Sequence, residues 1–153
     1  VKKYDAKNIC FVNYLNRDYE MIPFKKIENV NEIIFHFGNS EKYNKTLNEK
    51  KIDFIIRMYR HKYPKSSFSI IYGPREQEMH DCFQNLFDDA ITNKKISEFL
   101  DESYKYDLCV CNDTGIGHIL SQNGINIDLC INSNANILLH KIMCKNTNQI
   151  VVI

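Results

Sequence analysis

A short polar segment holds the residues whose types and spacing best suit a chemical role. Asp113 and Thr114 follow an apolar run, and Gly115, Gly117 and His118 come directly after them. An apolar run, a polar turn with glycines and a second apolar run are typical of a buried strand, a tight turn and a helix. The first N–H groups of a helix have no partner within it and carry a partial positive charge. The segment therefore predicts an anion-binding turn.

Each residue of this turn has a predicted role. Gly115 and Gly117 have no side chain to hold a phosphate group away from the backbone amides. Thr114 could cap the helix or donate its hydroxyl to a phosphate oxygen, and His118 could donate a ring N–H to the same anion. Asp113 would repel phosphate, so we expect it to accept hydrogen bonds from loop amides or sugar hydroxyls. The alternative is a turn that only caps a helix.

Other known site types do not fit the chain. A dinucleotide-binding Gly-x-Gly-x-x-Gly would need a third glycine, and a P-loop would need Gly-Lys-Ser/Thr. The six cysteines include no pair of zinc-ligand spacings, so we expect core packing and a reducing compartment. Cys109 and Cys111 are two residues apart in a predicted strand and should share one face.

The elements that must position the turn are strands alternating with helices. One helix face is marked by apolar residues at helical spacing from Ile52 to Tyr63, and Pro64 ends it. A second stripe runs from Met79 to Phe87, a weaker helix contains Phe99, and a helix from Thr114 to Gln122 ends near Gly124. This alternation predicts an α/β fold, a Rossmann-like three-layer sandwich with a mostly parallel sheet that binds ligands at the carboxyl ends of its strands. The predicted strands are 33–37, 68–72, 107–111 and 127–131, with a last one at 149–153.

The first 30 residues do not join this rhythm. We assign 1–30 to a connecting or edge segment, in which 9–12 could be a strand, and 31–153 to the α/β domain. The net charge of +1 and scattered lysines exclude the basic face that nucleic-acid binding needs. No apolar run approaches the ~20 residues of a membrane span, and no signal peptide is evident, so we expect a cytoplasmic chain.

The segment Asn112 to Ile119 resembles the Asp-Ser/Thr-Gly-x-x-His signature of the bacterial heptosyltransferases, glycosyltransferase family nine. These are two-domain GT-B enzymes, and the signature lies in their C-terminal, donor-binding half. Phe35-His36-Phe37-Gly38 resembles the strand that opens this half, and Lys42 or Lys45 the lysine that follows it. Tyr72-Gly73-Pro74-Arg75-Glu76 resembles the family's Gly-Pro-x-Glu. The resemblance covers about residues 30 to 131.

The resemblance implies a nucleotide-sugar-binding domain, one half of a GT-B fold. The ligand would be a nucleoside-diphosphate sugar, ADP- or UDP-linked, and the reaction a transfer of a heptose-like sugar to a lipopolysaccharide or capsule-type acceptor at the inner face of the membrane. The acceptor half, which carries the family's catalytic base, has no counterpart in this chain, so the catalytic residues stay unassigned. No cofactor and no metal is implied. The implied nucleotide-sugar-binding residues are Asp113, Thr114, Gly115, Gly117, His118, Glu76 for the ribose hydroxyls and Lys42 for a phosphate.

Two departures from the family keep a second interpretation open. Leu120 stands where the family has alanine, and Asn132-Ser133-Asn134 replaces a Gly-x-Thr type loop. The chain could then be a non-catalytic Rossmann-like interaction or regulatory domain that has lost the donor pocket. In that case Glu76 would serve as a helix cap. We interpret His36, inside an apolar strand, as a structural histidine.

Overall fold

The computed structural model describes residues 9–15, 18–22, 24–38, 46–92, 94–133 and 146–153. In this part of the chain seven parallel strands form one sheet, accompanied by α-helices and short 3₁₀ turns. The strands are β1 (Ile9–Phe11), β2 (Glu32–His36), β3 (Ser67–Tyr72), β4 (Asp89–Thr92), β5 (Leu108–Cys111), β6 (Asn126–Ile131) and β7 (Thr147–Val152). The helices are α1 (Glu49–Lys62), α2 (Gln77–Asp81), α3 (Ile96–Glu102) and α4 (Gly115–Gln122).

The strand order is β1-β7-β6-β5-β2-β3-β4. From β2 the chain builds outward through β3 to β4, and then returns to the other side of β2 for β5, β6 and β7. The order therefore reverses between β2 and β5, and doubly wound sheets bind ligands outside the carboxyl ends of the strands at such a point. The predicted α/β class and Rossmann-like architecture are confirmed.

Alternate residues of the strands face two different hydrophobic clusters. Phe35 packs with α1 on one side of the sheet, whereas Ile34 packs with α3 and α4 on the other. α1 buries the predicted face, because its apolar residues recur every three or four positions. Leu120 of α4 is fully buried in the second cluster, so its size is used in packing the helix on the sheet. The buried residues of α1 are Ile52, Phe54, Ile55, Ile56, Met58 and Tyr59.

The stripe from Met79 to Phe87 was predicted as one helix, and that prediction is wrong. α2 ends at Asp81, and Cys82 is exposed. The chain then reaches β4 through a 3₁₀ turn, from which Phe83 still packs into the core. No strand was predicted at β4, because this edge strand is mostly exposed and has no apolar run. The core role expected of the cysteines holds for Cys10, Cys109, Cys111 and Cys130, which are buried and free, and not for the exposed Cys82. Cys144 lies outside the described residues.

The segment before β2 joins the sheet at its far edge. β1 pairs with β7, with Cys10 opposite Val151. Tyr19, Phe24 and Ile27 pack against the α1 side of the core. The boundary between residues 30 and 31 stays a prediction. The predicted helical turns around Ile137 lie outside the described residues.

Candidate anion-binding site at the carboxyl edge of the sheet

β2 and β5 bring two loops together where the strand order reverses. His36 at the end of β2 pairs in register with Cys111 at the end of β5. The chain leaves β2 through Gly38, and it leaves β5 through Asn112 and Asp113 into α4. These residues therefore meet at the carboxyl edge, the edge at which all the parallel strands end.

A pair of hydrogen bonds fixes the two loops to each other. The Gly38 N–H donates to Asn112 Oδ1 at 2.8 Å, and Asn112 Nδ2 donates to the Gly38 carbonyl at 3.0 Å. A Cβ at Gly38 would lie 2.6 Å from Thr114 Cγ2, so only glycine allows this approach. No role for Asn112 was predicted from the sequence; its position directly after a buried strand was the available signal.

Thr114 is the N-cap of α4, as one of its two predicted roles requires. Its backbone is extended, and Oγ1 accepts a hydrogen bond from the Gly117 N–H at 3.3 Å. The Thr114 hydroxyl hydrogen can still be donated, because the oxygen is the acceptor in this bond. Within the described part of the chain, no acceptor is found for the N–H groups of Gly115 and Ile116. These groups are the ones a helix start offers to an anion.

The two glycines of the turn have different environments. A Cβ at Gly115 would meet nothing within 4 Å, so this residue leaves the helix start open. A Cβ at Gly117 would lie 2.6 Å from Cys111 Sγ. Gly117 is buried, and its lack of a side chain lets α4 pack closely on β5. Its N–H donates to Thr114 Oγ1 in this structure, and the contact with phosphate predicted for Gly117 stays a prediction.

Asp113 and His118 face each other across the first turn of α4. Asp113 is buried, and its Oδ1 lies 3.3 Å from His118 Nε2. A carboxylate accepts, so Nε2 donates, and a neutral His118 then carries its lone pair on Nδ1. Nδ1 of His118 can therefore donate to a phosphate while Nε2 still donates to Asp113, but only when both ring nitrogens carry a proton, as in the imidazolium.

Glu76 acts as a cap in this structure. Its Oε2 accepts from the Gly73 N–H at 3.1 Å and closes the 3₁₀ turn Pro74–Glu76. Among the described residues, no direct contact joins the Glu76 carboxylate to the turn at Thr114. Lys42 and Lys45 lie outside the residues that the structure describes.

Lys51 places a cation at the carboxyl edge that was not predicted from the sequence. Its Nζ donates to Asn132 Oδ1 at 3.0 Å and to the Ile153 carbonyl at 2.9 Å, beyond the ends of β6 and β7. Burial lowers the pKa of Lys51. Asn132, one of the residues that depart from the family pattern, is thus engaged in tying α1 to the sheet.

His36 is buried at the end of β2, on the side of the sheet that α4 covers. Its Nδ1 lies 2.8 Å from the Ile71 carbonyl. Its Nε2 lies 3.7 Å from the Cβ position of Gly38, the same point that Thr114 Cγ2 approaches. Burial lowers the pKa of His36, which favours the neutral ring. The structural role predicted for His36 explains the hydrogen bond of Nδ1 but gives no function to Nε2.

Across the ranges that the structure describes, no group of three or more histidine, cysteine, aspartate or glutamate side chains is arranged to hold a metal ion. None of the helices in those ranges is long and apolar enough to cross a membrane.

Comparison with known proteins identifies the fold. A glycosyltransferase family 9 crystal structure from Veillonella parvula DSM 2008 superposes on 82% of this chain with a TM-score of 0.62, at 15% sequence identity. The chain therefore shares the fold of part of this glycosyltransferase structure. E. coli ADP-heptose lps heptosyltransferase II superposes on 83% of the chain with a TM-score of 0.58, at 9% identity. The family resemblance predicted from the sequence is thereby confirmed at the level of the fold.

This chain spans 36% and 39% of the lengths of those two structures. No protein-family model matches the sequence, and no curated protein matches it.

Proposed function

We propose that this chain is the donor-binding domain of a glycosyltransferase, and that it holds the diphosphate of a nucleotide sugar at the start of α4. The observation that carries the proposal is the open helix start at Gly115, located where the strand order reverses. The fold shared with two glycosyltransferase structures supports the same interpretation.

Three kinds of group would bind the diphosphate. The N–H groups of Gly115 and Ile116 would donate to phosphate oxygens, and the positive end of the helix dipole favours the charge. The Thr114 hydroxyl would donate while its oxygen continues to cap the helix. His118 would donate from Nδ1 as an imidazolium held in place by Asp113, because a charge-assisted hydrogen bond is stronger than a neutral one.

The same groups would assist sugar transfer. When the bond between the sugar and the diphosphate breaks, negative charge develops on the departing diphosphate, and donors already in position stabilise it. Losing one such donor typically costs about 2.7–4 kcal/mol of transition-state stabilisation. No residue of the described site is placed as a base for an acceptor hydroxyl. We therefore expect no sugar transfer by this chain alone, and we assign the base and the binding of a glycan or glycolipid acceptor to a second half.

The identities of the sugar, of the nucleobase and of the acceptor are more specific proposals. By analogy with the E. coli ADP-heptose lps heptosyltransferase II, the donor would be a heptose linked to ADP and the acceptor a lipopolysaccharide at the inner face of the membrane. The second candidate is a non-catalytic domain that keeps the fold without the pocket. It is favoured by Glu76, whose carboxylate is already used as a cap.

Calorimetry with ADP, UDP, GDP and CDP and their sugar conjugates tests the proposal. We expect the diphosphate and the sugar conjugate of one of these nucleosides to bind with a Kd between about 1 μM and 1 mM. Gly115→Asp should abolish this binding, because a carboxylate at the open helix start repels phosphate while suiting the helix dipole. Ile96→Asp, at the exposed first position of α3, is the matched control and should bind normally. No binding by the unmodified chain at millimolar ligand would favour the non-catalytic candidate.

A further inference from the structure

The hydrogen bond to Ile71 fixes which nitrogen of His36 carries the proton. A carbonyl oxygen can only accept, so the Nδ1 that lies 2.8 Å from it must donate. In the neutral ring the other nitrogen, Nε2, is then a lone-pair acceptor. Burial disfavours the charged ring, since only 7% of His36 is exposed. His36 therefore presents an acceptor and no donor at its free end.

This free end lies beside Gly38, whose loop forms part of the candidate anion site. Nε2 and Thr114 Cγ2 lie 3.7 Å and 2.6 Å from one point, the position that a Cβ would take on Gly38, so the two groups are neighbours beside Gly38. His36 is on the α4 side of the sheet and is paired with Cys111, on which Gly117 packs. None of the residues that the structure describes donates a hydrogen bond to Nε2.

An acceptor that has no donor within the protein bonds to water or to a ligand that supplies one. A phosphate oxygen cannot do so, because it is itself an acceptor and carries negative charge. A hydroxyl can, and the ligand of the proposed function carries hydroxyls on its ribose and on its transferred sugar. The helix start offers donors and therefore suits the diphosphate of a nucleotide sugar. His36 Nε2 offers an acceptor and therefore suits a neighbouring hydroxyl.

We propose that His36 Nε2 accepts a hydrogen bond from a sugar hydroxyl of the bound ligand and so makes the site selective for a hydroxyl-bearing diphosphate over a bare one. This inference rests on the proposed function. It adds a ligand-contacting residue outside the turn 113–118.

Two conservative substitutions separate the two nitrogens of His36. In His36→Asn the side-chain amide can take the place of Nδ1 and still donate to the Ile71 carbonyl, but the acceptor at Nε2 is lost. In His36→Gln an amide oxygen can reach the Nε2 position, but the bond to Ile71 is lost. A merely structural histidine would tolerate asparagine better than glutamine. A ligand-contacting Nε2 predicts the opposite order for ligand affinity.

Calorimetry would compare inorganic pyrophosphate, the nucleoside diphosphate that binds best, its 2′,3′-dideoxy analogue and the corresponding nucleotide sugar. We expect His36→Asn to bind a hydroxyl-bearing ligand about 3- to 10-fold more weakly, with pyrophosphate affinity unchanged, and His36→Gln to retain most of the affinity. A loss for the nucleoside diphosphate that is absent for its dideoxy analogue would assign the hydroxyl to the ribose. A loss confined to the nucleotide sugar would assign it to the transferred sugar.

Thermal unfolding of each variant reports whether it folds, and ¹⁵N-histidine NMR of the unmodified chain needs no variant. The Nε2 resonance of His36 should move on addition of the hydroxyl-bearing ligand and stay in place with pyrophosphate. Equal losses for all ligands, no loss in His36→Asn, or an unmoved Nε2 resonance would overturn this inference and leave the proposed function standing. If neither pyrophosphate nor any nucleotide binds the unmodified chain, both are overturned.

Discussion

The Tyr59 hydroxyl of α1 donates to Asp128 Oδ2 of β6 at 2.5 Å, in a part of the core where neither residue is exposed. Asn148 and Gln149 of β7 donate to the same carboxylate at 2.9 and 2.8 Å. Burial raises the pKa of Asp128 to about 6, and these hydrogen bonds oppose the increase. The carboxylate is thus held by neutral donors, with no cation in direct contact among the described residues.

The raised pKa of Asp128 predicts how stability changes with pH. A folded-state pKa of about 6 exceeds the unfolded value of about 3.9, so the folded protein binds the proton more tightly. The contribution is fully present below pH ~4 and is lost as the pH rises through about 6. We expect the difference in unfolding free energy between the unmodified chain and Asp128→Asn to change by about 2–3 kcal/mol across this interval. Urea unfolding at several pH values measures it, with exposed Asp101→Asn as the control; an unchanged difference would contradict the prediction.

His80 predicts a change of the opposite sign. Its Nε2 donates to the Phe37 carbonyl at 3.1 Å, its ring stacks on Tyr72, and its Nδ1 is buried without a partner among the described residues. Burial lowers the pKa of His80 to about 4, below the unfolded value of about 6.5. Its contribution to stability is therefore present above pH ~6.5 and is lost as the pH falls toward 4.

His80→Gln keeps a donor for the Phe37 carbonyl and removes the titration. We expect this variant to lose less stability than the unmodified chain between pH 6.5 and pH 4 in urea unfolding. The exposed His61 offers the matched substitution, His61→Gln. Parallel pH profiles for the unmodified chain and His80→Gln would show that folding leaves the pKa of His80 unchanged, contrary to this account.

The glycines of the turn predict a contrast in stability. Gly117→Ala should destabilise the protein by about 1–3 kcal/mol, because its Cβ would press on Cys111 Sγ. Gly115→Ala should be neutral or stabilising by about 0.5 kcal/mol, since its surroundings are open. Denaturant unfolding compares them. Combining Gly117→Ala with Cys111→Ala should recover part of the loss, and an additive double variant would mean that the sulfur is not the cause.

His118 predicts a loss confined to ligand binding. His118→Ala should weaken the nucleoside diphosphate found in the calorimetric series by about 3- to 10-fold, because one charge-assisted donor is removed. Asp113→Asn should also weaken binding if the carboxylate holds the imidazolium in place. Should His118→Ala bind as tightly as the unmodified chain, His118 is a partner of Asp113 only and has no part in anion binding.

The sequence predicted what is local and what is buried. Continuous apolar runs predicted β2, β3, β5 and β6, because central parallel strands are covered on both faces. The turn from Asp113 to His118 was recognisable because strand, turn and helix follow one another directly. β4 was missed because an exposed edge strand needs no apolar run.

The contacts that complete the site join residues far apart in the chain. Asn112 and Gly38 are 74 positions apart, and His36 and Ile71 are 35 apart. The tautomer of His36 depends on where the Ile71 carbonyl lies, and the packing role of Gly117 depends on the rotamer of Cys111. A residue pattern along the chain contains neither kind of information.

The pairing of β1 with β7 has a consequence for the order in which the protein assembles. The hydrogen-bonded neighbour of β1 in the sheet is β7, the strand farthest from it along the described residues, and two further hydrogen bonds join the Lys25 backbone to Gln149. Joining such distant segments costs more chain entropy than pairing nearby strands. We therefore expect β1 to join the sheet late and to be released readily. The amide hydrogens of residues 9–12 should accordingly exchange with solvent well before those of β2 and β5, because local opening at this edge of the sheet needs less free energy than opening of its centre.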